Sequence, residues 1–146
     1  MIKEFEFKRP RDPKAVAPTK VGLSQERENL SGNIDGVSAS ALEERLAKAS
    51  RRYATYRFKL PLGVPGQPGW KELDFLFFTS GSAVAVEVDD VTFIHRGENP
   101  EQDPDDLLRI EQLRYLGVNV DKINHVDNTK LMTQEAANAT ARRLLT

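Results

Sequence analysis

Residues 70–95 read WKELDFLFFTSGSAVAVEVDDVTFIH, and the reading of this stretch decides the fold. Lys71 to Phe78 is rich in aromatic and aliphatic residues, and Ala83 to Val88 is almost purely Ala and Val, so both segments are expected to be strands. Thr79-Ser80-Gly81-Ser82 between them is short and polar, and a hairpin is the simplest connection. Apolar residues occupy both faces of each strand, as in a sheet covered on both sides. Each strand nevertheless carries carboxylates, Asp74 in the first and Glu87 and Asp89 in the second. Burying a carboxylate costs several kcal/mol unless a cation or hydrogen bonds offset it. Pairing the strands brings Asp74 near Glu87, and a divalent cation between them is the simplest relief of their repulsion. The alternative is that each acid sits at a strand end and points into water.

Working outward, Ser40-Ala41-Leu42-Glu43 has the form of a capping box. Leu42, Leu46, Ala49 and Tyr53 recur at helical spacing, predicting a helix from Ala41 to Tyr53, with Glu44 facing solvent four residues before Lys48. Tyr56 to Leu60 reads as a strand, and Pro61 to Gly69 as a loop dense in Pro and Gly. Beyond the two central strands, Arg96 to Asp103 is a polar loop. Asp103-Pro104-Asp105-Asp106 starts a helix whose Leu107, Leu108, Leu113 and Leu116 run to Gly117. Val118 to Val126 alternates as a fourth strand, and Thr133 caps a last helix, Gln134 to Leu145. This order implies an α/β domain with a mixed four-stranded sheet flanked by helices.

Residues 1–37 differ from the rest. They contain Pro10, Pro13 and Pro18, and the first twenty are basic, which predicts an extended arm ahead of a folded domain at residues 38–146. Such an arm is either a loosely packed tail or a segment that orders on DNA or on a protein neighbour. Within it, Leu23 to Glu28 has the makings of a short helix. A length of 146 residues suits one domain, and the absence of cysteine excludes disulfide and thiolate chemistry. No apolar run reaches membrane-spanning length, and the N-terminus lacks the hydrophobic centre of a secretory signal, so no membrane partner and a cytoplasmic location are expected.

In order, the helix, strand, Asp-bearing strand, Glu-bearing strand, helix and strand resemble the restriction-endonuclease-like, or PD-(D/E)XK, nuclease superfamily. Ser40 to Glu43 is similar to the first-helix motif of phage junction-resolving members, Leu73-Asp74 to the "PD" step without its proline, and Glu87-Val88-Asp89 to E-x-K with Asp in the place of lysine. The very-short-patch-repair endonucleases carry a related change, E-x-D-G and a nearby His, followed by D-x-x-R, a Leu four residues on and a Gly four after that. Here the corresponding residues are Glu87, Asp89, His95, Asp106, Arg109, Leu113 and Gly117. Asp90 stands where that branch has Gly, and the step to His95 is slightly longer. The resemblance covers residues 40–127.

The resemblance implies a metal-dependent DNA endonuclease, possibly phage-related. Asp74 and Glu87 would hold Mg²⁺ or Mn²⁺, with Glu43 behind them or on a second ion, and carboxylates plus retained water suit such ions. Asp89 would orient His95 or reach metal through water, and His95 is the candidate general base, with a plain surface histidine as the alternative. Asp106 and Arg109 would form an i,i+3 helix pair at the edge of the site. Arg51, Arg52, Arg57 and Lys59 form a basic cluster that could face DNA phosphates. Two other classes stay open: a catalytically inactive nuclease fold serving as a phage assembly or virion component held by its arm, and a nucleic-acid-binding module without catalysis. Nine acids between Glu87 and Glu111, opposed by Arg96 and Arg109, weigh against the binding module unless metal neutralises that face. A homodimer is compatible with either class.

Overall fold

The computed structural model describes residues 29–63, 71–89 and 103–146. The chain divides into two compact units, 1–31 and 32–146, and the second carries the sheet. The predicted arm and the short helix at Leu23 to Glu28 fall almost wholly outside the described residues.

The larger unit opens with a small hairpin, β1 (Asn33–Ile34) and β2 (Val37–Ser38), turning through Asp35 and Gly36, both at positive φ. The larger unit begins at residue 32, so this hairpin, inside the stretch read as an arm, belongs to it. The reason is Ile34, which is 5% exposed and belongs to the main core. Helix α1 (Ala41–Ser50) follows, and its capping box forms with Ser40 as N-cap. Glu44 does not face solvent as its spacing from Lys48 suggests. It is buried, and its Oε1 accepts the Gly32 N–H at 2.7 Å, clasping the hairpin to α1.

Strands β3 (Thr55–Leu62), β4 (Lys71–Phe78) and β5 (Ala83–Asp89) form an antiparallel meander, and β6 (Ile123–Asp127) joins β5 in parallel, giving the order β3-β4-β5-β6. Pro61 belongs to β3 rather than to the following loop, because β3 is an edge strand where a missing N–H costs little. Helix α2 (Pro104–Tyr115) crosses between β5 and β6, and α3 (Gln134–Leu145) closes the chain after a 3-10 turn, Asn128–Leu131. The result is an α/β domain with a mixed four-stranded sheet and three α-helices among the described residues. None of those helices is long and apolar enough to cross a membrane.

Two cores lie on opposite faces of the sheet. Phe75, Phe77, Val86 and Val126 pack against Leu46, Ala49, Ala137 and Ala141 of α1 and α3. Leu62, Leu73, Leu76, Ala85 and Ile123 pack against Leu113 of α2. Strict alternation would put Phe58 and Leu60, or Leu73 and Phe75, on one face. Instead each pair is divided between the two cores, with the switch at Lys59 and Asp74. Lys59 has φ +53°, and pairing of β3 with β4 skips that step while keeping register on either side. Strands β3 and β4 thus exchange faces at the level of Asp74, while β5 keeps Val84, Val86 and Val88 on one face.

Helix α2 corrects the expectation drawn from its leucines. Asp106, Arg109 and Leu113 face inward, while Leu107, Leu108 and Leu116 are exposed. Its end is as expected, since Gly117 at φ +90° sets a Schellman turn: Gly117 N–H donates to Arg114 and Val118 N–H to Leu113. That turn delays β6, which begins at Ile123 rather than at Val118.

Ile34→Ala should cost about 2–3 kcal/mol, in the lower part of the range for buried Ile truncation. Val37→Ala, across the same hairpin but exposed, should fall within about 0.5 kcal/mol of wild type. Urea unfolding of the two variants checks this, and equal midpoints would detach the hairpin from the core.

Candidate active site

Backbone pairing of β4 with β5 runs from Phe78↔Ala83 to Phe75↔Val86 and stops. The next pair in register would be Asp74 with Glu87. There the Asp74 side chain takes over the role of a ladder acceptor, its Oδ2 accepting the Val88 N–H at 2.8 Å. The strands part at this point, and the two carboxylates face the gap. Neither lies at a strand end in open water.

Burial is the main cause that raises the pKa of Asp74. The Val88 hydrogen bond opposes it, Glu43 and Asp89 add repulsion, and a contact with Glu87 works the other way. Glu87 is pushed up to about 7, first by burial and then by Asp74, with Arg109 opposing. Glu43 therefore sits near the pair, reached from the start of α1, although one of its own oxygens accepts the Ser40 N–H in the capping box.

From the other side of the gap, α2 supplies Arg109, whose side chain is 6% exposed. Its Nη1 donates to Glu87 Oε1 at 2.7 Å and to the Glu72 carbonyl at 3.2 Å, and its Nη2 to Asp106 Oδ1 at 2.7 Å. Burial of the guanidinium disfavours its charge, but Glu87 and Asp106 outweigh that and raise its pKa. The remaining Asp106 oxygen meets His125 Nε2 at 2.6 Å, and His125 Nδ1 meets Asp89 Oδ2 at 2.8 Å. Bonding to Asp89 leads the causes that raise the His125 pKa, against desolvation, so the ring favours the imidazolium. One connected chain results: Asp74, Glu87, Arg109, Asp106, His125, Asp89. Its members from Glu87 to Asp89 line a cleft of about 210 Å³, with Lys71 paired to Asp105 at the rim at 3.2 Å.

The structure thus gathers Glu87, Asp89, Asp106 and Arg109 around one cleft, with Asp74 beside Glu87 and Glu43 near Asp74. His95 lies outside the described residues. The basic residues are not gathered in the same way. Arg51 and Arg52 follow the end of α1, whereas Arg57 and Lys59 lie on β3, where Lys59 Nζ donates to the Ser38 carbonyl at 3.0 Å and sits over the Phe58 ring. His125 is the residue that sequence reasoning missed. An imidazole two residues after an inward Ile123 was the available signal. Its importance comes from the pairing Glu87↔His125, which joins strands far apart in sequence. No family model, no curated protein and no solved structure matches this chain.

The raised carboxyl pKa values fix a sign for pH dependence. Glu87 binds its proton more tightly in the folded than in the unfolded chain, so its ionisation is a penalty on folding. That penalty is absent below the ordinary value of 4.5 and grows until pH passes about 7. Asp74 acts in the same direction. The stabilisation from His125 is complete below its ordinary value of 6.5 and is lost as pH rises through its raised folded value. In buffer without divalent ions the melting temperature should decline as pH rises from about 5 to about 8. Glu87→Gln, which still accepts from Arg109, should flatten the lower part of that slope and melt above wild type at about pH 8. Thermal melts across this interval check both, and a wild-type profile that rises throughout would overturn the charge assignment.

Proposed function

We propose that this chain is a metal-dependent DNA endonuclease with a restriction-endonuclease-like core. The observation that carries the reading is the meeting of Asp74 and Glu87 where β4 and β5 part, two half-buried carboxyls both driven toward neutrality by burial, Glu87 further by Asp74 and Asp74 by Glu43. The element order α1-β3-β4-β5-α2-β6, with the acids on β4 and β5, supports it and agrees with the order that the sequence resemblance implies.

The donor set fits a hard divalent cation. Asp74, Glu87, Asp89 and Asp106 outnumber the two cations of their network, Arg109 and His125, and the carboxyls of Asp74 and Glu87 resist ionisation without a further positive charge. Among the described residues no three His, Cys, Asp or Glu side chains form a ready-made metal cage. Asp74 and Glu87 with retained water make the kind of sparse, carboxylate-based site that Mg²⁺ and Mn²⁺ accept. Such an ion supplies charge stabilisation on a phosphoryl oxygen and an acidified water. The chain's own residues supply placement. Val88 N–H fixes Asp74, Arg109 fixes Glu87, and His125 with Asp106 fixes Asp89 beside it. Glu43 stands behind Asp74. Both nitrogens of His125 are engaged by carboxylates, so it holds geometry rather than taking a proton from water. His95 keeps the role of candidate base, worth roughly 10²–10⁴-fold in rate if it acts.

Asp74→Asn is the informative variant, because the amide oxygen can still accept the Val88 N–H while the charge is lost. Wild type should nick supercoiled DNA in Mg²⁺ or Mn²⁺ and gain melting temperature from either ion. Asp74→Asn should stay folded, lose nicking and lose most of the ion-induced stabilisation. Equal stabilisation of both proteins by the ions would refute the site. Mismatched and branched duplexes in the same assay identify the preferred substrate.

A second reading is favoured by the Arg109–Glu87 ion pair and by Asp89 in the lysine position: an inactive nuclease fold retained as an assembly component, with the network kept for stability. That reading predicts no nicking of any substrate and no ion-induced rise in melting temperature.

A further inference from the structure

We infer that the groove between α1 and α3 binds the phosphate backbone of a nucleic-acid duplex, as a contact separate from the carboxylate cleft. The groove encloses about 500 Å³ and is lined by Lys48 and Arg52 on one side and by Arg142 and Arg143 on the other. Ala49 and Ala139 also line it, so small side chains leave room between the cations. One carboxylate, Glu135, is present against these four positive groups.

A solvated helix surface explains part of this but not its shape. Cations in a last helical turn are favoured by the dipole wherever they point, and Lys48, Arg142 and Arg143 occupy such turns. The dipole does not require them to converge on one concave surface, and a polyanion is complementary to such a lining. Lys48 and Arg52 lie one turn apart, about 6 Å along the axis, while a nucleic-acid strand presents a phosphate every ~3.4 Å of duplex axis. The Lys48–Arg52 spacing is therefore close to two phosphate steps along a strand.

The groove is not the place where a bond would be cut. Glu43 at the start of α1 neighbours Asp74, whereas Arg52 is nine residues further on, about 13 Å along the helix. The two regions have opposite charge and lie toward opposite ends of α1. Four-cation lining against acidic cleft also answers the objection that an acidic face repels DNA: the groove supplies the attraction and the cleft, with its ion, the chemistry. The choice of a nucleic acid over another polyanion rests on the nuclease reading above.

Binding measured apart from cleavage separates the two claims. Fluorescence anisotropy of a labelled 20-base-pair duplex without divalent ions should show salt-sensitive binding by the full chain. Arg52→Glu combined with Arg142→Glu should weaken it at least tenfold and reduce the slope of log K against log salt by roughly 2, about 0.9 per lost phosphate contact. The corresponding double change to Lys should bind nearly as wild type. Asp74→Asn should also bind as wild type, and a wild-type chain that binds the duplex but nicks no substrate would refute the nuclease reading and leave the groove standing. If the double reversal lowers the melting temperature markedly, Arg52→Glu alone, at an exposed position, carries the test with an expected slope change of roughly 1. Wild-type and groove variants binding within twofold of each other, no salt-sensitive binding by wild type, or equal competition by polyglutamate of the same charge would each overturn the inference.

Discussion

Arg109 is the group on which the site depends. A single guanidinium reaches the Glu72 carbonyl on β4, the Glu87 carboxylate on β5 and Asp106 on its own helix, and through Asp106 it is linked to His125 on β6. Four elements are thereby tied to one buried charge. Planar geometry and several donors let Arg do this where Lys could not. The arrangement has a cost: Arg109 Nε is buried without a hydrogen-bond partner among the described residues. Removing Arg109 from such a network would leave uncompensated buried negative charge, typically worth about 3–5 kcal/mol.

The network needs a gap to surround, and the backbone provides it. Where β4 and β5 part, Asp74 accepts the Val88 N–H that a ladder carbonyl would otherwise take. At the same level Lys59 adopts a positive φ and β3 and β4 exchange faces between the cores. A local break in regular pairing thus positions a carboxylate between two hydrophobic layers. Backbone irregularity of this kind is stable because both cores over-determine the strands on either side.

Charge is segregated along the domain. The acidic cleft lies where β4 and β5 open and α2 begins, and the basic groove lies toward the far end of α1. A net charge of -1 conceals this entirely, since the two regions cancel in the sum. Composition alone says nothing about a polyanion partner, whereas the arrangement separates an acidic cleft from a surface suited to phosphate.

The sequence by itself determined the local elements. The capping box at Ser40, the Asp103-Pro104 start, the Gly117 stop and the apolar runs of β4 and β5 are short-range signals, and each produces the element expected of it. Asp74 and Glu87 were legible because a carboxylate within an apolar run is costly wherever the run goes, and a hairpin fixes their proximity. Tertiary structure alone decided the rest. Leu107, Leu108 and Leu116 suggested an apolar inner face for α2, yet Asp106 and Arg109 face inward because carboxylates on β5 and an imidazole on β6 await them there. Glu44 is buried because the Gly32 N–H needs an acceptor, and Pro61 stays in a strand because that strand is an edge. His125 and the Lys48, Arg52, Arg142, Arg143 groove depend on a parallel pairing and a helix contact between distant segments. Periodicity reports which face of an element is apolar. It carries no information about which distant charge will meet that face, and that meeting made the site.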